Sequence, residues 1–244
     1  MDLFWVTLAA LVTALATGLG ALPFAFVPTM SRRWLGISNA LASGFMLSAS
    51  GALVIEGAIR GVGRTAAGAA LGALFIYVTH RALGHREVQF AELRGADAMK
   101  AVLIVTVMTL HSFSEGIGVG VSYGGGVELG VLITIAIAVH NIPEGLAISL
   151  VLVPRGASVR SAAGWSIFSS LPQPLVAAPA FLFVELFKPF LPVGLGFAGG
   201  AMVWVVLAEL LPEARAELSV SRLAVWLGGS LLAMSLFQLA LLGR

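Results

Sequence analysis

His111-Ser112-Phe113-Ser114-Glu115-Gly116 and His140-Asn141-Ile142-Pro143-Glu144-Gly145 each set a histidine and a glutamate inside a long apolar run. In both motifs the two ionisable residues are four apart, so on a helix they share one face. Imidazole and carboxylate together suit zinc, iron and similar divalent ions, whereas calcium and magnesium favour all-oxygen shells. Two carboxylates and two neutral imidazoles balance the charge of one M2+ ion. An ionisable group at a bilayer centre costs roughly 2.5–3.5 kcal/mol on insertion scales, so four of them call for something that offsets the cost. A bound divalent cation does so. The competing reading is a pair of His–Glu hydrogen bonds that only hold helices together. Two copies at matched depth favour the metal.

The elements that position these residues are helices in a membrane. The 244-residue chain is 59% hydrophobic and 11% charged, with a mean hydropathy of +1.00, while soluble domains are about one quarter charged. Eight continuous apolar segments of helical length run over about 3–26, 35–59, 65–79, 101–123, 129–152, 161–185, 190–211 and 223–242, with an inner loop over about 80–100. Continuous rather than alternating runs predict helices, not strands. The expected fold is therefore an all-α integral membrane protein, a single polytopic domain over 1–244, with its site between the fourth and fifth helices. The first run follows Asp2 rather than a basic leader and reads as a retained span. The small net charge of +2 does not suggest nucleic acid, and the lack of cysteine excludes disulfides and thiolate ligands.

Eight spans put both termini on one side. With that side outside, the inner segments hold ten basic residues (Arg32, Arg33, Arg81, Arg86, Arg94, Lys100, Arg155, Arg160, Arg215 and Arg222) against four outside (Arg60, Arg64, Lys188 and Arg244). This bias predicts termini outside the cytoplasm, in the inner membrane if the host is prokaryotic. The fourth and fifth segments have midpoints near residues 112 and 140, and the loop between them, about 124–128, permits only an antiparallel pair. His111, Glu115, His140 and Glu144 then converge at midplane. Pro143 frees a backbone carbonyl, that of Val139, and either breaks the helix at the site or merely kinks it.

Other polar residues in the apolar runs are candidates for a path or for packing. Glu56 falls near the outer end of the second segment and Glu209 near the inner end of the seventh, one at each mouth of a path, or else each reaches interfacial water. Gln173, inside Leu171-Pro172-Gln173-Pro174, reads as helix–helix glue or, with its two flanking prolines, as a mark of irregular backbone in the sixth segment. Gly116, Gly120 and Gly124, with Gly118 beside them, form a small-residue stripe suited to close helix approach. His80 and His85 open the inner loop, as solvated residues or as a weak metal-handling pair.

Taken together, the two motifs, the eight segments and the orientation resemble the ZIP family of divalent metal transporters, in particular its bacterial GufA-like branch. The resemblance spans essentially the whole chain, and His140 to Gly145 is its most specific part. It implies eight helices, a site between the fourth and fifth, and movement of metal toward the cytoplasm. It further implies that helices 1, 4, 5 and 6 move against 2, 3, 7 and 8, and that a homodimer forms. His111, Glu115, His140 and Glu144 match family ligands. Met46 resembles a second-span methionine that contacts metal in some bacterial members, and Glu209 an acid on the exit side. Some members hold a second metal. Here Ser112, Asn141 and Gln173 stand where stronger ligands occur, which implies one principal ion and at most a weak second one.

The expected function is transport of a divalent transition metal as substrate, zinc foremost, with iron, manganese, cobalt or cadmium as alternatives. No organic cofactor is expected. The expected partners are metal ions and the lipid bilayer. A metal-gated channel or sensor and an intramembrane zinc metallohydrolase are the rivals, although no His-Glu-x-x-His motif is present. Imidazole and carboxylate bind metal only when deprotonated, so acid should weaken uptake.

Overall fold

The computed structural model describes residues 2–26, 32–83, 89–90, 93–124 and 126–241. Long apolar runs become helices because lipid offers backbone amides no partner, so every N–H and C=O must pair within its own segment. The elements are α1 (Leu3–Thr17, continued as a 3-10 helix over Gly18–Phe26), α2 (Arg32–Leu83), a hairpin of β1 (Gln89–Phe90) and β2 (Leu93–Arg94), α3 (Gly95–Gly124) and α4 (Val127–Leu152). They continue with α5 (Val159–Ser170), α6 (Pro172–Leu182), α7 (Val184–Phe187), α8 (Leu191–Val205), α9 (Leu211–Glu217) and α10 (Val220–Leu241). The chain is an all-α membrane protein, and among the described residues six helical stretches are long and apolar enough to cross a bilayer: Leu3–Phe26, Gly36–Ala82, Asp97–Gly124, Ile133–Arg155, Leu191–Glu217 and Val220–Ala240.

Six rather than eight stretches arise at two places. The second and third predicted segments join in α2, whose backbone leaves helical geometry at Gly61 (φ 167°, ψ 94°). The sixth predicted segment is interrupted at Leu171, where Pro172 and Pro174 start α6 and deny it a continuous run from α5. The predicted 80–100 loop is also shorter than expected. α2 extends to Leu83 and α3 begins at Gly95, so His80 and Lys100 stand on helices. His85 lies outside the described residues. Pro143 does not break its helix, for α4 runs through it.

Glycine sets the helix contacts. α8 packs against the second arm of α2, where a Cβ on Gly68, Gly72, Gly196 or Gly200 would meet opposing backbone at 2.0–2.2 Å. The first arm carries α10 through Gly44, whose Cβ would fall 1.9 Å from Ser230 Oγ. On the other side of the bundle, Gly116, Gly120 and Gly124 seat α3 against α6 and Val184, while Gly118 faces open space. α1 crosses α4 at Gly145, where a Cβ would lie 1.7 Å from Thr17 O. That crossing is one residue from Glu144 and fixes where the site sits. The core beside it includes Met46, Leu103, Ile104, Ile148 and Met202.

Candidate metal centre

α3 and α4 bring the two motifs together. Each contributes a His and a Glu one helical turn apart, and one ligand atom from each of His111, Glu115, His140 and Glu144 lies within 4.8 Å of every other. His111 Nε2 is 2.7 Å from Glu144 Oε1 and 3.5 Å from Glu115 Oε1, and His140 Nε2 is 3.2 Å from Glu144 Oε1. Glu144 thus stands between the two imidazoles, whose ring centres are 6.4 Å apart.

Burial and pairing separate a cation cradle from structural His–Glu bonds. The side chains of His111, Glu115 and Glu144 are 1%, 7% and 3% exposed, whereas His140 is 19% exposed, so the cluster opens past His140. The proximity of His111 Nε2 to Glu144 Oε1 lacks hydrogen-bond geometry. Both atoms, and His111 Nδ1, are buried without a hydrogen-bond partner among the described residues. Burying such groups unpaired is costly. Shared coordination of an M2+ ion satisfies imidazole and carboxylate lone pairs together, and the donor set matches zinc chemistry.

A second layer of polar residues holds Glu115. Gln173 on α6 is fully buried, and its Nε2 donates to Glu115 Oε2 at 2.5 Å. Asn141 Nδ2 reaches Gln173 Oε1 at 3.1 Å and donates to Thr13 O at 2.7 Å. Thr13 Oγ1 also contacts Gln173 Oε1, and Thr17 pairs with Ser170 at 2.7 Å. These bonds join α1, α3, α4, α5 and α6 around the cluster. Thr13 and Thr17 were not legible as site residues, since a threonine in an apolar run commonly bonds its own helix. Asn141 Oδ1 remains a buried acceptor without a partner among the described residues.

The other expected residues divide. Ser112 is buried next to His111. Met46 is buried and lines, with Glu144, a small cavity. Glu56 is not brought to the cluster: it is half exposed and pairs with Arg60 on its own helix. Glu209 lies in a π-helical turn over Val206–Leu210 and meets His80 Nε2 at 2.9 Å, with the His80 ring against Trp204. At one end of the bundle, Arg155 follows α4 with a buried side chain, contacts Glu213 and approaches Asp97 (3.4 Å) and Asn39 (3.3 Å). Lys100 meets Glu213 at 2.8 Å. The sequence showed Arg155 and Lys100 only as basic charges of the inner segments.

A bundle of long apolar helices with a buried His/Glu cluster between two of them defines an intramembrane site built for a cation. The family model described as ZIP Zinc transporter matches residues 79–242, and the chain belongs to that family. It is 37% identical over 223 residues to the zinc transporter GufA of Myxococcus xanthus, covering 84% of this chain and 86% of that protein. It is 53% identical over 223 residues to the putative zinc transporter At3g08650 of Arabidopsis thaliana, covering 90% of this chain and 36% of the plant protein. Human zinc transporter ZIP11 is 34% identical over 149 residues, 56% of this chain and 42% of its own length. The chain therefore spans about a third of the plant relative and most of GufA. The family is one of transporters rather than enzymes, and the hydrolase and channel readings are not favoured.

Proposed function

We propose that this protein carries a divalent transition metal, zinc foremost, across its membrane toward the cytoplasm, with His111, Glu115, His140 and Glu144 as the transient ligands. The observation that carries this reading is the cluster itself, four His and Glu side chains whose ligand atoms all lie within 4.8 Å of one another. Membership of a zinc transporter family supplies the cargo. The chain crosses the membrane eight times: the 47-residue stretch Gly36–Ala82 makes two passes around Gly61, and α5 with α6 makes one. The ligands then lie between the fourth and fifth crossings. Both termini stand outside the cytoplasm, on the basic-residue bias, in the inner membrane of a prokaryotic host, and two copies pair as the family resemblance implies.

Movement is by alternating access. The hydrogen bonds among Thr13, Thr17, Glu115, Asn141, Ser170 and Gln173 support one moving body made of the first, fourth, fifth and sixth crossings. The glycine contacts of α8 and α10 with α2 support the other. Metal passes Glu56 and Met46 on entry and Glu209 on exit. One ion binds firmly. Gln173 Nε2 uses Glu115 Oε2 as an acceptor, so a second ion retains only weak contacts from Glu115, Glu144, Asn141 and Ser112.

The test is a competitive uptake panel in liposomes, with labelled zinc against iron, manganese, cobalt and cadmium. Saturable zinc uptake that responds to a counter-gradient is expected. A flux linear in concentration, or none, contradicts the carrier.

A further inference from the structure

At one end of the bundle, a cluster of charges joins helices of the two proposed bodies. Arg155, just past α4, and Lys100, on α3, both reach the carboxylate of Glu213 on α9, Lys100 at 2.8 Å. Arg155 also approaches Asn39 Oδ1 on α2 at 3.3 Å. It is anchored on its own side, where it donates to Val151 O at 2.6 Å and lies 3.4 Å from Asp97 Oδ1. α3 and α4 carry the metal ligands, whereas Asn39 and Glu213 belong to the second and seventh crossings. Two cations of one body thus grip one carboxylate of the other, and the Arg155 side chain is fully buried in the grip.

A buried ion pair adds little stability over apolar side chains of similar volume. It suits a contact that comes apart. Opposite charges attract strongly when dry, and water that enters hydrates both partners and replaces the attraction. Water entering an apolar seam gains no such compensation. Exposure along α4 agrees with a seal at this end. His140 is 19% exposed and Ile142 36%, whereas from Glu144 to Leu152 every residue but Leu146 is buried. Ile148 follows His140 and Glu144 on the same helix face, one turn nearer Arg155, and is fully buried.

We propose that Arg155, Lys100, Glu213 and Asn39 form an ionic latch that closes the cytoplasmic end of the metal path and opens in each transport cycle. With the latch closed, the His/Glu cluster is reached past His140, from the outer side. When it parts, α3 and α4 move away from α2 and α9, and water enters along Ile148. The latch rests on the transport reading for its two bodies, but its opening is measured without zinc or flux.

The chain has no cysteine, so single thiol reporters stand on a clean background. Ile148→Cys reports the inner side of the cluster and His140→Cys the outer. Purified full-length protein in detergent, free of metal, is labelled with a charged maleimide. In the latched protein His140→Cys reacts and Ile148→Cys is nearly inert. Adding Glu213→Gln is expected to speed Ile148→Cys labelling at least about tenfold and to slow that of His140→Cys, because one population grows at the other's expense. Lys100→Gln shifts both in the same directions by less, and Glu213→Asp, which keeps the charge, restores the latched pattern. These variants guard against misfolding of any one of them. A cluster that merely clamps the fold would, when broken, speed both reporters together. Such a parallel rise overturns the latch, as do unchanged rates in folded Glu213→Gln and Lys100→Gln. Opposed shifts in a protein that shows no saturable zinc uptake support the latch and remove the carrier. Saturable uptake with unchanged labelling removes the latch alone.

Discussion

Replacing Gly145 with alanine adds one carbon at the crossing of α1 and α4. That carbon would lie 1.7 Å from Thr17 O and 2.7 Å from Thr17 C, whereas ordinary contact begins at 3.4 Å. The helices must separate by the difference, about 1.7 Å, because the obstacle is backbone and cannot turn aside. Gly20 offers no relief, since its own missing Cβ would meet Leu146 N at 2.1 Å. Overpacking costs about 1–3 kcal/mol, and a backbone obstacle places this variant near about 3 kcal/mol. The displacement acts next to Glu144 and strains the Asn141 Nδ2 to Thr13 O bond. Metal sites need ligand distances within about 0.2 Å of ideal, so zinc uptake should fall at least about tenfold. Gly118→Ala is the control: nothing lies within 4 Å of its Cβ, and alanine favours the helix by about 1 kcal/mol. Zinc uptake in proteoliposomes and thermal unfolding in detergent read both effects. Wild-type flux and stability in Gly145→Ala would refute the crossing as the element that places the site.

Arg155→Ala leaves Lys100 as the ion-pair partner of Glu213 among the described residues and removes a buried guanidinium from Asn39, Asp97 and Glu213; a loss of about 2–3 kcal/mol is expected by chemical or thermal unfolding, and an unchanged midpoint argues against the cluster as a tie. Gln173→Glu sets a second carboxylate against Glu115 Oε2, so bound zinc, counted by elemental analysis, should rise from one ion per chain to two. Stoichiometry that stays at one would show that the Gln173 amide is not what excludes the second ion. Protons compete with metal for imidazole and carboxylate lone pairs, so the KM for zinc should rise as pH falls. A pH-independent KM would place binding elsewhere.

The helical membrane class and the four-residue cluster were legible because they rest on local signals. Apolar runs specify helices in lipid, and a spacing of four puts His and Glu on one face. Gly145 was visible as a motif residue, yet its purpose depends on Thr17 being opposite, which no local pattern states. The bond from Gln173 to Glu115 needed the irregular start of α6, signalled by Pro172 and Pro174, but its partner Thr13 carried no signal. Helix ends were the least legible feature. Arg155 and Lys100 read as loop charges because their pairing with Glu213 joins residues distant in sequence. Glu56 shows the converse, for its partner Arg60 is one turn away on the same helix and local spacing already carried that pair.

In the proposed mechanism zinc crosses through the His/Glu cluster. Labelled zinc flux into proteoliposomes by Glu144→Gln tests it most directly, because the amide keeps the shape of the side chain and removes the charge between His111 and His140. Flux at background is expected, with the variant folded as the unmutated protein. Flux at the unmutated rate would contradict it.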